Sequence, residues 1–429
     1  MEPENRVEPA TADRWLNRNV FLFGLTSFFS DFCHEMATAV LPQFMQAIGA
    51  SVAALGLIEG SADAASSFIK LGAGFHSDKM GHRKPWTVAG YALTAVGVAL
   101  FAFAFAWPLI LLGRVVGWLG RGIRGPLRDA MLADSVSERS RGKAFGFHRA
   151  GDTAGAVAGP LAAFGLLSLV AAHPAAVRAI VGWMPWLANA SGVEYRTIFL
   201  LTLVPGVLSA AAMALTSEKR RPPNPNLRFW RTLRSLPKDY RSFLTAITLF
   251  GMADFAPTLL ILRAATVLQP HMGLMDATRV AALLYTLRNV VYASASYPIG
   301  ALSRRFPRTG YLAVGYGVAV LTFLGFAFAI PSVWWFAVLF CLAGIFIAWE
   351  DTMEGVAVRD YVTNEVAGTA YGALGVANGL GDFVSSLVVG LLWTAVGPAA
   401  GFLYAAAVGS CGAVLMAAMP GRPAERASA

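Results

Sequence analysis

The 429-residue chain is 56% hydrophobic and only 14% charged, with a mean hydropathy of +0.56. Soluble domains carry about 25% charged residues, so the composition excludes an ordinary soluble protein and points to a polytopic membrane protein. The net charge of +9 does not indicate nucleic-acid binding, because most Lys and Arg residues fall in short loops between apolar stretches, as the positive-inside rule requires. Cys33, Cys341 and Cys411 lie inside apolar runs, and no C-x-x-C spacing occurs. Disulfides and zinc sites are therefore not expected.

The opening residues, MEPENRVEPATADRW, are polar and lack an apolar signal core, so the first span is read as a retained helix. A bilayer core of about 30 Å needs about 20 apolar residues per helix. Twelve such stretches are predicted: 20–46, 52–76, 86–106, 108–133, 143–170, 196–216, 242–266, 278–302, 310–330, 333–356, 366–394 and 397–419. Several exceed 20 residues, which permits tilt or extension beyond the bilayer. With the N-terminus cytoplasmic, the opposite side carries only Arg178, Arg196 and Arg279 in or at the edges of its loops. That asymmetry predicts a multi-pass protein of the inner membrane with both termini in the cytoplasm.

The segment SEKRRPPNPNLRFWRTLRSLPKDYR, 217–241, is basic and Pro-rich. It reads as a cytoplasmic connector lying on anionic headgroups. It separates an N-terminal bundle, 1–216, from a C-terminal bundle, 242–429. The two halves repeat at an offset of 226 residues: Gly74 matches Gly300, Ser77 matches Ser303, Asp134 matches Asp360, and Val136 matches Val362. Gly142, Ala144, Gly146 and Gly155 match Gly368, Ala370, Gly372 and Gly381, and Phe145 meets Tyr371. Parallel six-helix repeats place a substrate site near the midplane between them.

Charges inside the apolar runs carry the functional signal. A charge at bilayer depth costs roughly 2.5–3.5 kcal/mol on insertion scales, and it faces a partner or a water-filled cavity. Asp31 and Glu35 share one face of the first span, roughly 6 Å apart. Two carboxylates so close in a low dielectric resist simultaneous ionisation, and proton coupling requires a carboxyl of that kind. Glu59, Asp63 and Lys70 share a face in the second span. At 100° per residue Arg114, Arg121 and Arg128 form a stripe down the fourth, with Arg124 beside it. Arg124 and Arg128 lie near the cytoplasmic end, where snorkelling to phosphates competes with a cavity role. In the second half Asp254, Glu350, Asp351, Glu354, Asn378 and Asp382 supply the polar groups. Mutual pairing of these charges and a role in coupling or substrate binding both remain open. Asp31, His34 and Glu35 have metal-ligand types at i, i+3 and i+4, so transition-metal transport is conceivable; a hydrogen-bond role for His34 is the plainer reading, and no resident metal is expected.

The loop after the second span reads Gly74-Phe-His-Ser-Asp78-Lys79-Met-Gly81-His-Arg83-Lys84. It resembles the G-x-L-x-D-R-x-G-R-R/K signature of the major facilitator superfamily, with His76 and His82 as departures. The second-half loop, Gly300-Ala-Leu-Ser-Arg304-Arg305, keeps the glycine and loses the acid. The resemblance implies a fold of twelve transmembrane helices in two pseudo-symmetric six-helix bundles, all-α. It also implies a gating latch on Asp78, which can meet the positive end of a neighbouring helix. Arg114-Val-Val-Gly117 is similar to the superfamily's R-x-x-x-G element, with the glycine shifted. Gly155-Ala-Val-Ala-Gly159-Pro160 resembles the G-x-x-x-G-P element of its antiporters; small residues four apart also allow plain close packing. His148, Arg149 and Asp152 lie at the cytoplasmic start of the same span.

The whole chain is similar to a bacterial and archaeal branch of that superfamily. The shared elements are Asp31-x-x-x-Glu35-Met36, Gly56-Leu-Ile-Glu59-Gly60, Arg128-Asp129-Ala-x-x-Ala-Asp134, Gly146-Phe-His148-Arg149-Ala-x-Asp152 and Leu262-Arg263-Ala264. The similarity implies a secondary transporter but leaves its substrate undefined; the span-4 arginines and the paired acids point to a small polar or anionic organic solute (a metabolite, drug or metal chelate), proton-coupled, and the Gly155–Pro160 element slightly favours export by antiport. A proton-driven importer of a siderophore or metal chelate is the nearest alternative. A non-transporting membrane receptor or scaffold is the alternative of another class. No Walker loop, nucleophile elbow or metalloprotease helix occurs, so neither an enzyme nor a cofactor is expected. The expected partners are substrate, protons and the lipid bilayer, and the chain is read as a monomer.

Overall fold

The computed structural model describes residues 15–80, 82–137, 140–173, 175, 177, 181–182, 184–218, 236–358, 360–362 and 367–419. Gly81 and connector residues 219–235 lie outside the described residues. Twelve spans pack as two six-helix bundles. In the first half they are α1 (Arg18–Thr38) with α2 (Leu41–Ala47), α3 (Val52–Met80), α4 (Lys84–Ala99), α5 (Trp107–Asp134), α6 (Arg141–Ala172), and α7 (Val193–Leu201) with α8 (Leu203–Ala214). In the second half they are α9 (Lys238–Gly251) with α10 (Pro257–Met272), α11 (Leu274–Leu302), α12 (Arg308–Ala327), α13 (Val333–Val358), α14 (Ala367–Ala395) and α15 (Pro398–Ala418).

The first and seventh spans are interrupted, where the hydropathy pattern predicts unbroken runs over 20–46 and 242–266. Proline explains both breaks. Pro42 cannot donate to the carbonyl of Thr38, the last residue of α1, and Pro257 cannot donate to that of Ala253. A missing donor and the ring clash end a helix there. In the second break the freed Ala256 N–H donates to Ser386 Oγ at 3.0 Å.

Eight of the described helices are long and apolar enough to cross a membrane by length and composition alone. The remaining four spans are the first, fourth, seventh and eighth. The first, fourth and eighth carry Asp31 and Glu35, Arg114 and Arg121, and Arg288; the seventh is broken. Membrane-embedded charge lowers a span's hydropathy and forces it inward toward protein or water, so the weakest hydropathy signals belong to the helices around the site.

The halves meet along α3 against α14 and α6 against α11. At Gly56 the approach is so close that a Cβ would lie 2.0 Å from the Ser386 carbonyl oxygen. Within the first half, Gly155 brings α6 onto α1, where a Cβ would fall 2.2 Å from the Phe28 carbonyl oxygen. Small residues permit this backbone-to-backbone packing, which drives helix association where no water is left to expel.

The repeat noted at Asp134 and Asp360 has a structural counterpart. Arg83 pairs with Asp134 at 3.1 Å, joining the start of α4 to the end of α5. Arg308 pairs with Asp360, joining the start of α12 to the chain just beyond α13. Each bundle thus ties its third span to its fourth at the end where the chain termini lie. Arg196, read from sequence as a loop charge, is instead buried inside α7. It donates to the carbonyls of Ser191 and Ala102, both at 2.8 Å, and stacks on Phe44 and Phe105 at 5.0 and 4.6 Å.

Candidate functional site

A cavity of about 510 Å³ lies between the two bundles. Its walls come from α1, α3, α5 and α6 on one side, and from α10, α11 and α13 on the other. Helix geometry delivers the charges of the first half to it. Asp31, Glu35, Glu59, Asp63, Arg114 and Arg121 all line it.

Most of these charges are paired. Arg114 grips Glu59 with two nitrogens, Nε to Oε2 at 3.0 Å and Nη2 to both oxygens at 2.8 and 2.9 Å. Both side chains are under 5% exposed. Arg121 Nη2 donates to Asp31 Oδ1 at 2.8 Å. Arg149 meets Asp152 at 3.4 Å, and Asp152 accepts from the Ser27 hydroxyl at 2.6 Å. Trp118 supplies a ring between the two central arginines, 5.0 Å from Arg121 and 6.0 Å from Arg114. The arginine stripe divides beyond this point. Arg124 turns behind the cavity onto Ser30 and the Tyr91 ring, and Arg128 pairs with its neighbour Asp129 at 2.9 Å.

Asp31, His34 and Glu35 diverge despite their spacing. Asp31 goes to Arg121, His34 presents its ring to the edge of Trp118 at 5.4 Å, and Glu35 reaches the other bundle. Among the described residues no group of three His, Cys, Asp or Glu side chains is arranged to hold a metal ion.

Glu35 Oε2 accepts from the Tyr285 hydroxyl of α11 at 2.6 Å, a hydrogen bond that joins the halves across the cavity. Asn289 donates to the Ala156 carbonyl at 2.9 Å. Nearer the terminal end, Arg149 donates to the Tyr292 hydroxyl at 2.7 Å, which donates onward to Asp351 at 2.8 Å. At the opposite end Ala53 N–H donates to Thr394 Oγ1 at 2.9 Å. Tyr285, Arg288, Asn289 and Tyr292 are not among the residues that sequence reasoning singles out. Their i, i+3, i+4, i+7 spacing is a one-face pattern, and Arg288 is an intramembrane arginine; those two signals together identify the face.

The second-half acids are placed unevenly. Asp351 lines the cavity, but Glu350 and Glu354 do not. Glu354 is buried and accepts from Tyr316 at 2.6 Å and from Asn378 at 2.7 Å. Glu350 is buried, with no hydrogen-bond partner for Oε2 among the described residues. Asp254 sits in the break of the seventh span, just ahead of cavity residues Ala256 and Pro257. Lys70 is exposed and outside the cavity lining.

Of the gating-loop residues, Gly74 and Asp78 fall on α3, with side-chain surroundings outside the described residues. Arg83 holds Asp134, and the backbone N–H groups of Arg83 and Lys84 both donate to the Glu218 carboxylate. In α6, Gly155 and Gly159 press on α1 and Pro160 lies within the helix. His148 is buried near its start, with no hydrogen-bond partner for Nε2 among the described residues.

The family model of the major facilitator superfamily matches residues 23–278 and 276–429. An uncharacterised MFS-type transporter of Methanocaldococcus jannaschii is 30% identical over 395 residues, 91% of this chain and 92% of that protein. The quinolone resistance protein NorA of Staphylococcus aureus is 25% identical over 145 residues, 34% of this chain and 37% of NorA. Among solved structures, a point mutant of the nucleoside transporter NupG superposes with a TM-score of 0.74 at 15% identity, covering 94% of this chain and 100% of that chain. With the family model covering nearly the whole chain and two six-helix bundles enclosing a polar cavity, the chain belongs to the major facilitator superfamily.

Proposed function

We propose that the protein is a proton-coupled secondary transporter that moves a small polar organic solute by alternating access, with export by antiport as the favoured direction. The observation that carries this reading is the Glu35–Tyr285 hydrogen bond, 2.6 Å long and spanning the two bundles inside the cavity. A carboxylate accepts such a bond more strongly than a neutral carboxyl. Gain or loss of its proton therefore changes the contact between halves whose relative motion exposes the site. Asp31, one turn away and held by Arg121, is the second proton-exchanging group. The Glu59–Arg114 pair, almost wholly buried, serves as scaffold for both.

Export is supported by the α6 glycine–proline element and by the partial match to a drug-resistance protein. The Lys- and Arg-rich loops at the terminal end favour cytoplasmic termini and an inner-membrane location, with 217–241 as the connector.

The test is flux in proteoliposomes with an imposed pH gradient, run on a broad solute panel with Asp31→Asn and Glu35→Gln alongside. Gradient-dependent flux that both variants lose, while still folding and inserting, supports the reading. Flux indifferent to the gradient, or unchanged in both variants, overturns it.

A further inference from the structure

The charges lining the cavity do not balance, and the imbalance points to a substrate class. Three of the four lining arginines are already bound to acids: Arg114 to Glu59, Arg121 to Asp31 and Arg149 to Asp152. The fourth, Arg288, forms no ion pair among the described residues. Its Nη1 donates to Asn289 Oδ1 at 3.1 Å, and its Nε is buried with no hydrogen-bond partner among the described residues. The guanidinium packs on the Tyr285 ring at 5.7 Å. A guanidinium that lines a cavity without a paired acid is a group that a carboxylate satisfies with charge-assisted hydrogen bonds. A buried donor without a partner costs about 1–3 kcal/mol, which a bound anion would relieve.

The acids leave a complementary gap. Beyond the three in ion pairs, Glu35 and Asp351 are each capped by a tyrosine hydroxyl. Asp63, also lining the cavity, receives no hydrogen bond and pairs with no cation among the described residues. A solute bearing only negative charge would satisfy Arg288 but enter a cavity with surplus carboxylates. One bearing only positive charge would satisfy Asp63 and leave the Arg288 guanidinium without an acid.

We propose that this cavity binds a compact zwitterion of the amino-acid type, its carboxylate on the Arg288 guanidinium and its cationic group on Asp63. Arg288 belongs to the second bundle and Asp63 to the first, so one ligand bridges both halves. The inference rests on the transport reading of the same cavity and names its substrate class. It also departs from the anionic solute that the arginine stripe alone leads one to expect, because the stripe's cavity arginines are already neutralised.

Binding to the purified protein tests it, read by thermal shift and by the change in intrinsic tryptophan fluorescence, to which Trp118 of the cavity wall contributes. The probes are the twenty common amino acids and betaine, with the amide and the N-acetyl derivative of each amino acid that binds. Zwitterions are expected to bind, and removal of either charge is expected to weaken binding about tenfold or more. Arg288→Gln should erase the preference for the acid over its amide. Asp63→Asn should erase the preference for the free amine over its N-acetyl form. Both variants are checked for a cooperative melt, and Arg288→Lys should partly restore carboxylate preference. Equal binding of derivatives and parents, preferences unchanged in the variants, or no zwitterion bound by a folded preparation would each overturn the proposal. Gradient-driven flux of some other solute would leave the transport reading standing without it.

Discussion

The Glu59–Arg114 pair is the most deeply buried ion pair described in the cavity wall, and its removal has a calculable cost. Its two side chains are 3% and 4% exposed, and three nitrogen–oxygen contacts of 2.8–3.0 Å join them. Thr38 Oγ1 adds only long contacts of 3.4 and 3.5 Å. Glu59→Gln keeps the shape but leaves the Arg114 charge without its counter-ion. Breaking one partner of a buried pair costs about 3–5 kcal/mol. Replacing both with apolar residues of similar volume is often neutral or stabilising by about 1–4 kcal/mol. The expected order of stability is therefore Glu59→Gln well below wild type, with Glu59→Leu/Arg114→Leu close to wild type. The coupling energy between the two sites should be about 3 kcal/mol or more. Unfolding in detergent, followed by intrinsic fluorescence for wild type, both single variants and the double, measures it. A Glu59→Gln variant within about 1 kcal/mol of wild type would refute the argument, well short of the loss expected for a broken buried pair. A double variant no more stable than the singles would refute it too. Either result would mean that water or another acid compensates Arg114.

Gly56→Ala places a Cβ 2.0 Å from the Ser386 carbonyl, so it should destabilise by about 1–3 kcal/mol through overpacking; Gly72→Ala, whose Cβ meets nothing within 4 Å, should be neutral or mildly stabilising in the same melt. Arg83→Gln and Arg308→Gln each break a tie between a third and a fourth span. The two ties lie in different bundles, so their losses should add within about 0.5 kcal/mol, whereas strong coupling would mean these ends of the halves act as one unit. Tyr285→Phe removes the donor to Glu35 without changing packing. It should lower pH-gradient-driven accumulation about tenfold, the worth of one charge-assisted hydrogen bond, while leaving gradient-free exchange of solute. Equal loss of both would assign Tyr285 to solute binding instead.

What could be read without the fold comes from local rules. Apolar length defines twelve spans, helical period puts Asp31 beside Glu35 and Arg114 above Arg121, and the cost of embedded charge marks those spans as cavity-facing. The repeat at Asp134 and Asp360 was legible in the same way, since gene-duplicated halves keep their spacing. The breaks near Pro42 and Pro257 were written in the chain too, but the hydropathy signal runs straight through them.

Partnership was not legible. Arg114 chooses Glu59 across 55 residues, Arg121 chooses Asp31 across 90, and Glu35 chooses Tyr285 across 250. Any of the arginines could satisfy any of the acids by chemistry alone. Close glycine packing of α6 on α1 and of α3 on α14 decides which side chains come within hydrogen-bond reach, and thereby which charges neutralise one another. Only the folded bundle leaves Arg288 and Asp63 outside the ion pairs of the cavity wall among the described residues, because an unpaired charge is the remainder of every other pairing.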